Sequence, residues 1–154
     1  MKKIKVLYGL VIALILFQLI RYLYTTAMVV HIPYGIKLRY LISALLNSNL
    51  LFIIGMIFIE RGLFHSIKKG YFNIKSVNKF KIGGLFILIS GFITLAQNVY
   101  LLLFHHPLSQ EFKNLFLQGV FESIITLIIG ISLIVISDFI KRGSQLKKEN
   151  ELTI

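Results

Sequence analysis

The sequence predicts an all-α integral membrane protein, a four-helix bundle with both termini in the cytoplasm. Three observations lead there. Hydrophobic residues make up 56% of the 154 and charged residues only 15%, with a mean hydropathy of +0.82, whereas about a quarter of a soluble domain is charged. Four apolar stretches are each long enough to cross a hydrocarbon core, which takes about 20 helical residues. The basic residues between those stretches fall unevenly on the two sides that four crossings create. The length leaves room for these spans and short connections, so 1–154 is read as a single membrane domain.

The first span covers about 6–28. Lys2, Lys3 and Lys5 before the uncharged run from Val6 to Ile20 have the look of a signal peptide. Arg21, the bulky residues Tyr22 to Tyr24 and three further apolar stretches favour an uncleaved helix instead. Pro33 and Gly35 punctuate the connection that follows. The second span, about 40–59, closes at Glu60 and Arg61.

Residues 61–81 form the most basic segment, with Arg61, Lys68, Lys69, Lys75, Lys79 and Lys81. Leu63, Phe64 and Ile67 recur at helical spacing before Gly70, and Ile74, Val77 and Phe80 do so after Asn73. Gly70 reads as a C-terminal cap and Asn73 as an N-cap. The segment is therefore predicted as a helical extension of span two, a tight turn and a helical lead-in to span three, at the membrane surface. The third span, about 82–104, carries no charge and ends at His105, His106 and Pro107. The fourth, about 115–137, contains Glu122 and exits at Asp138, Lys141 and Arg142. Residues 138–154 read as a charged tail or a frayed helix.

Thirteen Lys and Arg lie on the side shared by the termini and the 61–81 segment, against Lys37, Arg39 and Lys113 on the other. Positively charged loops stay in the cytoplasm, which orients the chain. The net charge of +11 forms no stripe on a polar fold, so it points to anionic lipid headgroups rather than to direct nucleic-acid binding. With no cysteine there is no disulfide and no thiol chemistry. Metalloprotease, hydrolase and phosphate-loop signatures are missing as well, so no enzyme activity and no cofactor are expected. His31, His105 and His106 would share the external face, either as a metal site or as solvated loop residues.

The most informative residues are polar ones inside the spans: Gln18 and Arg21, Asn47 and Asn49, Gln97 and Asn98, Gln118 and Glu122. Lipid does not solvate an amide or a charge, so such side chains face one another or a wet cavity. At about 1.5 Å rise per residue, Arg21 and Glu122 both lie roughly 10 Å inside the outer boundary. Asn47 and Asn98 fall at a similar depth. An Arg21–Glu122 pair flanked by amides, with Gln18 and Gln118 nearby, is the expected arrangement. It is either a clasp that fixes helix register, or a site for a proton, ion or small polar solute in a transporter or channel subunit acting as a homo-oligomer. Gly119, Ser123, Thr126, Gly130 and Ser137 on span four, and Gly84, Gly91 and Asn98 on span three, form stripes of small or polar residues that predict close helix contacts.

The run Ile67-Lys68-Lys69-Gly70-Tyr71-Phe72, through Asn78 to Ile82-Gly83, resembles the central loop of a bacterial family catalogued as domain of unknown function 2975. Lys141-Arg142-Gly143, Leu146 and the ending Glu149-Asn150-Glu151-Leu152-Thr153-Ile154 resemble the same family's C-terminus. Asn73 stands where that family is expected to have a Ser or Thr cap. The resemblance implies a small four-span protein with no established activity, frequently encoded beside a helix-turn-helix regulator of the Cro/repressor type. It further implies a membrane-tethered switch in which the basic segment and the tail, with Glu149, Asn150 and Leu152, hold a cytoplasmic regulator.

Overall fold

A computed structural model describes residues 2–30, 36–69, 73–104 and 110–152. It is all-helical: α1 is Lys2–Val30, α2 Ile36–Lys69, α3 Ile74–Phe104 and α4 Gln110–Leu152. Each helix holds a stretch long and apolar enough to cross a membrane, namely Ile4–Tyr24, Asn47–Lys68, Ile74–Leu103 and Phe116–Asn150. Successive helices are antiparallel neighbours: α1 packs on α2, α2 on α3 and α3 on α4. The start of α1 and the end of α4 thus lie at the same end of the bundle as the end of α2 and the start of α3, here called the basic end.

What joins α2, α3 and α4 is a repeat of small residues every seventh position. On α2 it reads Ser48, Gly55, Gly62, and on the facing side of α3 Ser76, Gly83, Ser90. One residue further along α3, Gly84 and Gly91 face Gly130 and Leu127 of α4. The α4 repeat is Ser123, Gly130, Ser137, Ser144, all of it buried. A period of seven keeps two helices in contact over many turns at a shallow crossing angle. The absence of side chains lets the backbones touch: a Cβ on Gly83 would stand 2.8 Å from the Gly55 carbonyl oxygen, and one on Gly130 2.9 Å from the Leu88 nitrogen. In lipid this matters more than in water, because burying Leu against Leu gains little over Leu against acyl chains and close van der Waals packing must hold the helices.

Hydroxyls in the repeat are satisfied locally or across the contact. Ser90 Oγ donates to the Ser48 carbonyl at 2.7 Å, the Thr94 and Ser48 hydroxyls meet at 3.1 Å, and Ser66 Oγ lies 3.0 Å from Ser76 Oγ. Ser123 and Ser137 donate to their own helix, to Gly119 and Ile134 carbonyls at 2.7 Å each. Gln97 continues the α2-facing side of α3 and is buried, its Oε1 unpaired among the described residues.

α1 is built differently. Val6, Phe17, Ile20 and Leu23 are all more than 60% exposed, which suits a lipid-facing helix. Its glycine, Gly9, has nothing within 4 Å of where a Cβ would stand. Among the described residues α1 makes no close backbone approach to α3 or α4.

The basic end is a continuation of the spans rather than a separate layer. α2 runs unbroken to Lys69 and α3 starts at Ile74. Asn73 caps α3 as its sequence position suggests: Lys75 N donates to Asn73 Oδ1 at 2.9 Å, and Ser76 N to the Asn73 carbonyl at 2.9 Å. Gly70, the expected cap of α2, lies outside the described residues. Residues 138–152 continue α4 as helix, and Ser144 is buried because the small-residue repeat carries on beyond the 115–137 span read from the sequence.

Gly83→Ala is expected to destabilise the bundle by roughly 1–3 kcal/mol, the usual cost of overpacking, while Gly9→Ala in the open face of α1 is neutral or slightly stabilising. Thermal unfolding of the two variants in the same detergent checks the contrast; equal melting temperatures would contradict backbone contact at Gly55 and Gly83.

Candidate functional site

The gap between α1 and α4 holds a small, partly open polar cavity of about 160 Å³. Gln18 and Arg21 reach it from α1, being three residues apart and so on one helix face. Asn49 and Phe52 line it from α2, Ser90 and Thr94 from α3, and Glu122, Ser123 and Thr126 from α4. All four helices contribute. Most of the hydroxyls are turned to backbone: Thr94 Oγ1 lies 2.9 Å from the Ser90 carbonyl and Thr126 Oγ1 donates to that of Glu122 at 2.8 Å. The amides, the guanidinium and the carboxylate therefore set the chemistry of the walls. Gln118 Nε2 donates to Glu122 Oε1 at 3.2 Å and orients that carboxylate. A cavity with a cation on one wall, an anion on the other and amides between them suits a cluster of waters or a small polar solute.

Of the residues expected at this level, Gln18, Arg21 and Glu122 line the cavity, and Gln118 lies one turn from it. Asn47 does not take part: it is exposed, and Asn49 lines the cavity instead. Two positions along a helix turn the side chain by about 200°, so only one of this pair faces inward. Asn98 is buried at the α3–α4 contact, where its amide fills the space a Cβ on Gly119 would take, with Nδ2 and Oδ1 both at 2.8 Å. Ser90 and Thr94 went unrecognised in the sequence because single hydroxyls are common in membrane helices and bond their own backbone.

A second, more open cavity of about 440 Å³ lies at the basic end, lined by Tyr8, Glu60, Arg61, Phe64, His65 and Lys79. The Tyr8 hydroxyl lies beside the Glu60 side chain. Lys68 Nζ sits 4.5 Å from the centre of the Phe64 ring and Lys79 Nζ 5.0 Å from that of Phe58, cation–π distances that hold both ammonium groups at the helix surface. Arg61, Lys68, Lys75, Lys81, Glu149 and Asn150 are exposed, and Lys79 is half-buried. The side chains of Lys69 and Leu152 lie outside the described residues, as do His31, His105 and His106. Among the described residues no three His, Cys, Asp or Glu come together as a metal site would need.

Four membrane-length helices around a polar cavity define a multi-pass helical membrane protein. The chain belongs to the family described as Protein of unknown function (DUF2975), whose model matches residues 2–154. Neither curated proteins nor solved structures give a match to it.

The chain has no cysteine of its own, so single substitutions report cleanly on the cavity. Asn49→Cys and Thr94→Cys in native membranes are expected to react with a small water-soluble thiol reagent, and Ile87→Cys, at a position with 0% exposure, to resist it. Equal protection of all three would mean that water does not enter between α1 and α4.

Proposed function

We propose that the chain is a non-enzymatic regulatory or accessory protein of the bacterial cell membrane, with both termini cytoplasmic, whose basic end receives a cytoplasmic protein. The observation that carries this reading is the order of that end. α2, α3 and α4 continue as helices to Lys69, from Ile74 and to Leu152, presenting Arg61, Lys68, Lys75, Lys81, Lys141, Arg142, Lys147 and Lys148 exposed on a packed scaffold. A simple lipid anchor needs only charge near the membrane; a partner surface also needs fixed geometry, since ordering side chains and loops at binding costs affinity. The positive-inside rule supports the cytoplasmic placement. The partner suited to this surface has an acidic face, and a helix-turn-helix regulator encoded beside the gene is the candidate that the family resemblance implies.

The polar cavity favours a second reading, a small transporter or channel subunit in which Arg21 and Glu122 hold an ion or polar solute on its way through an oligomer. The two readings separate by where damage matters. Capture of the tagged regulator from solubilised membranes is expected to fall roughly tenfold when Lys75 and Lys81 are both changed to Glu, and to weaken with added salt. Glu122→Gln is expected to leave that capture intact. Failure to recover the regulator with the unaltered chain overturns the first reading; loss of solute uptake into vesicles on Glu122→Gln, with capture absent, establishes the second. Reporter fusions at Ser109 and Ile154 are expected to report opposite sides of the membrane.

A further inference from the structure

Below the polar cavity, toward the basic end, the gap between α1 and α4 becomes almost entirely apolar. Its volume is about 710 Å³, and the walls include Leu7 and Val11 of α1, Met56 and Ile59 of α2, and Leu133 and Ile136 of α4. Ser66 is the sole polar residue of the lining. We propose that this cleft holds an acyl chain of an anionic phospholipid from the leaflet adjoining the basic end, with the lipid phosphate within reach of Lys5 and Lys141.

Length and charge both support that occupant. The lining runs from Met56 to Ser66 on α2 and from Ile129 to Ile140 on α4, about 15 Å at 1.5 Å per residue, and one leaflet of a hydrocarbon core about 30 Å thick is also about 15 Å deep. At its inner end the cleft stops where the polar cavity begins, one turn beyond Met56 and Ile129, so a chain entering from the basic end is bounded by polar walls near the bilayer centre. At the mouth, Lys5 and Lys141 each follow a lining residue, Ile4 and Ile140, and both are exposed. A basic residue beside an anionic membrane surface contributes about 1 kcal/mol.

The test uses the full chain in phosphatidylcholine vesicles containing a trace of phosphatidylglycerol or phosphatidylcholine with a photoactivatable group in mid-chain. Phosphatidylglycerol adducts are expected to concentrate on peptides carrying Leu7, Met56 and Leu133, and unlabelled phosphatidylglycerol, not phosphatidylcholine, is expected to compete them away. Lys5→Gln and Lys141→Gln should each reduce the preference for the anionic lipid by about fivefold. Leu133→Trp should remove adducts from the cleft and leave those on the outward face at Phe92, which is 57% exposed. Adducts spread evenly over cleft and outward faces overturn the proposal, as does a cleft that labels equally with both lipids. So does an intermolecular disulfide through Leu7→Cys and Leu133→Cys, which would place a second copy in the cleft. Because the adduct map of the unsubstituted chain already decides between these results, a Leu133→Trp variant that fails to fold does not protect the proposal.

Discussion

Backbone contact between α2, α3 and α4 at small residues is the constraint on which the rest of the structure depends. α3 is central because it carries two such lines one residue apart, Ser76, Gly83 and Ser90 toward α2, and Gly84, Gly91 and Asn98 toward α4. Adjacent positions on a helix diverge by about 100°, so the two partners lie on neighbouring faces of α3 rather than opposite ones. That geometry curves the three helices into a trough. α1 has no equivalent line, makes close backbone contact with α2 alone among the described residues and leaves the seam toward α4 open. Both cavities in that seam follow from the absence of small residues at the matching positions of α1.

The seam changes character along its length without changing face. On α4 the lining reads Glu122, Thr126, Ile129, Leu133, Ile136 and Ile140, and on α1 it runs from Ile4 and Leu7 through Val11 to Gln18 and Arg21. A charged side chain at membrane depth is costly unless it meets water, a partner or an opposite charge. Grouping Arg21, Gln18, Asn49 and Glu122 around one cavity meets that demand in a single place, and so confines polarity to one end of the seam. The other end then has no polar function to serve and matches the hydrocarbon beside it.

The number of helices was legible in the sequence because lipid enforces it: every backbone group must be bonded within its own segment, and each apolar stretch must be long enough to cross the core. The Asn73 cap and the Gly84, Gly91, Asn98 line were legible for local reasons, a side chain that accepts from its own helix start and a period that needs no knowledge of the partner. Azimuth was not. Depth counting placed Asn47 in the polar layer, and only the neighbour that α2 adopts decides that Asn49 faces the cavity instead. The α2 line of Ser48, Gly55 and Gly62 stayed hidden because its meaning lies in what approaches it, here Ser90, Ile87 and Phe80. The helical tail was obscured by its charges, although Ser137 and Ser144 already continued the seven-residue period of α4.

Stiffness is unevenly divided as a result. For α4 to slide along α3, the Gly84 carbonyl and the Leu88 backbone would have to pass residues larger than Gly130, such as Ile134 and Leu127. Packed interiors resist such displacement because they change between discrete arrangements rather than deform continuously. Among the described residues α1 meets no backbone at close range except that of α2, and its outer face is bare to lipid. Segments with few packed contacts open at the lowest free energy. The width of the seam is accordingly set by α1, the helix that carries Arg21 at one end and Lys5 at the other, against a fixed wall that carries Glu122 and Lys141.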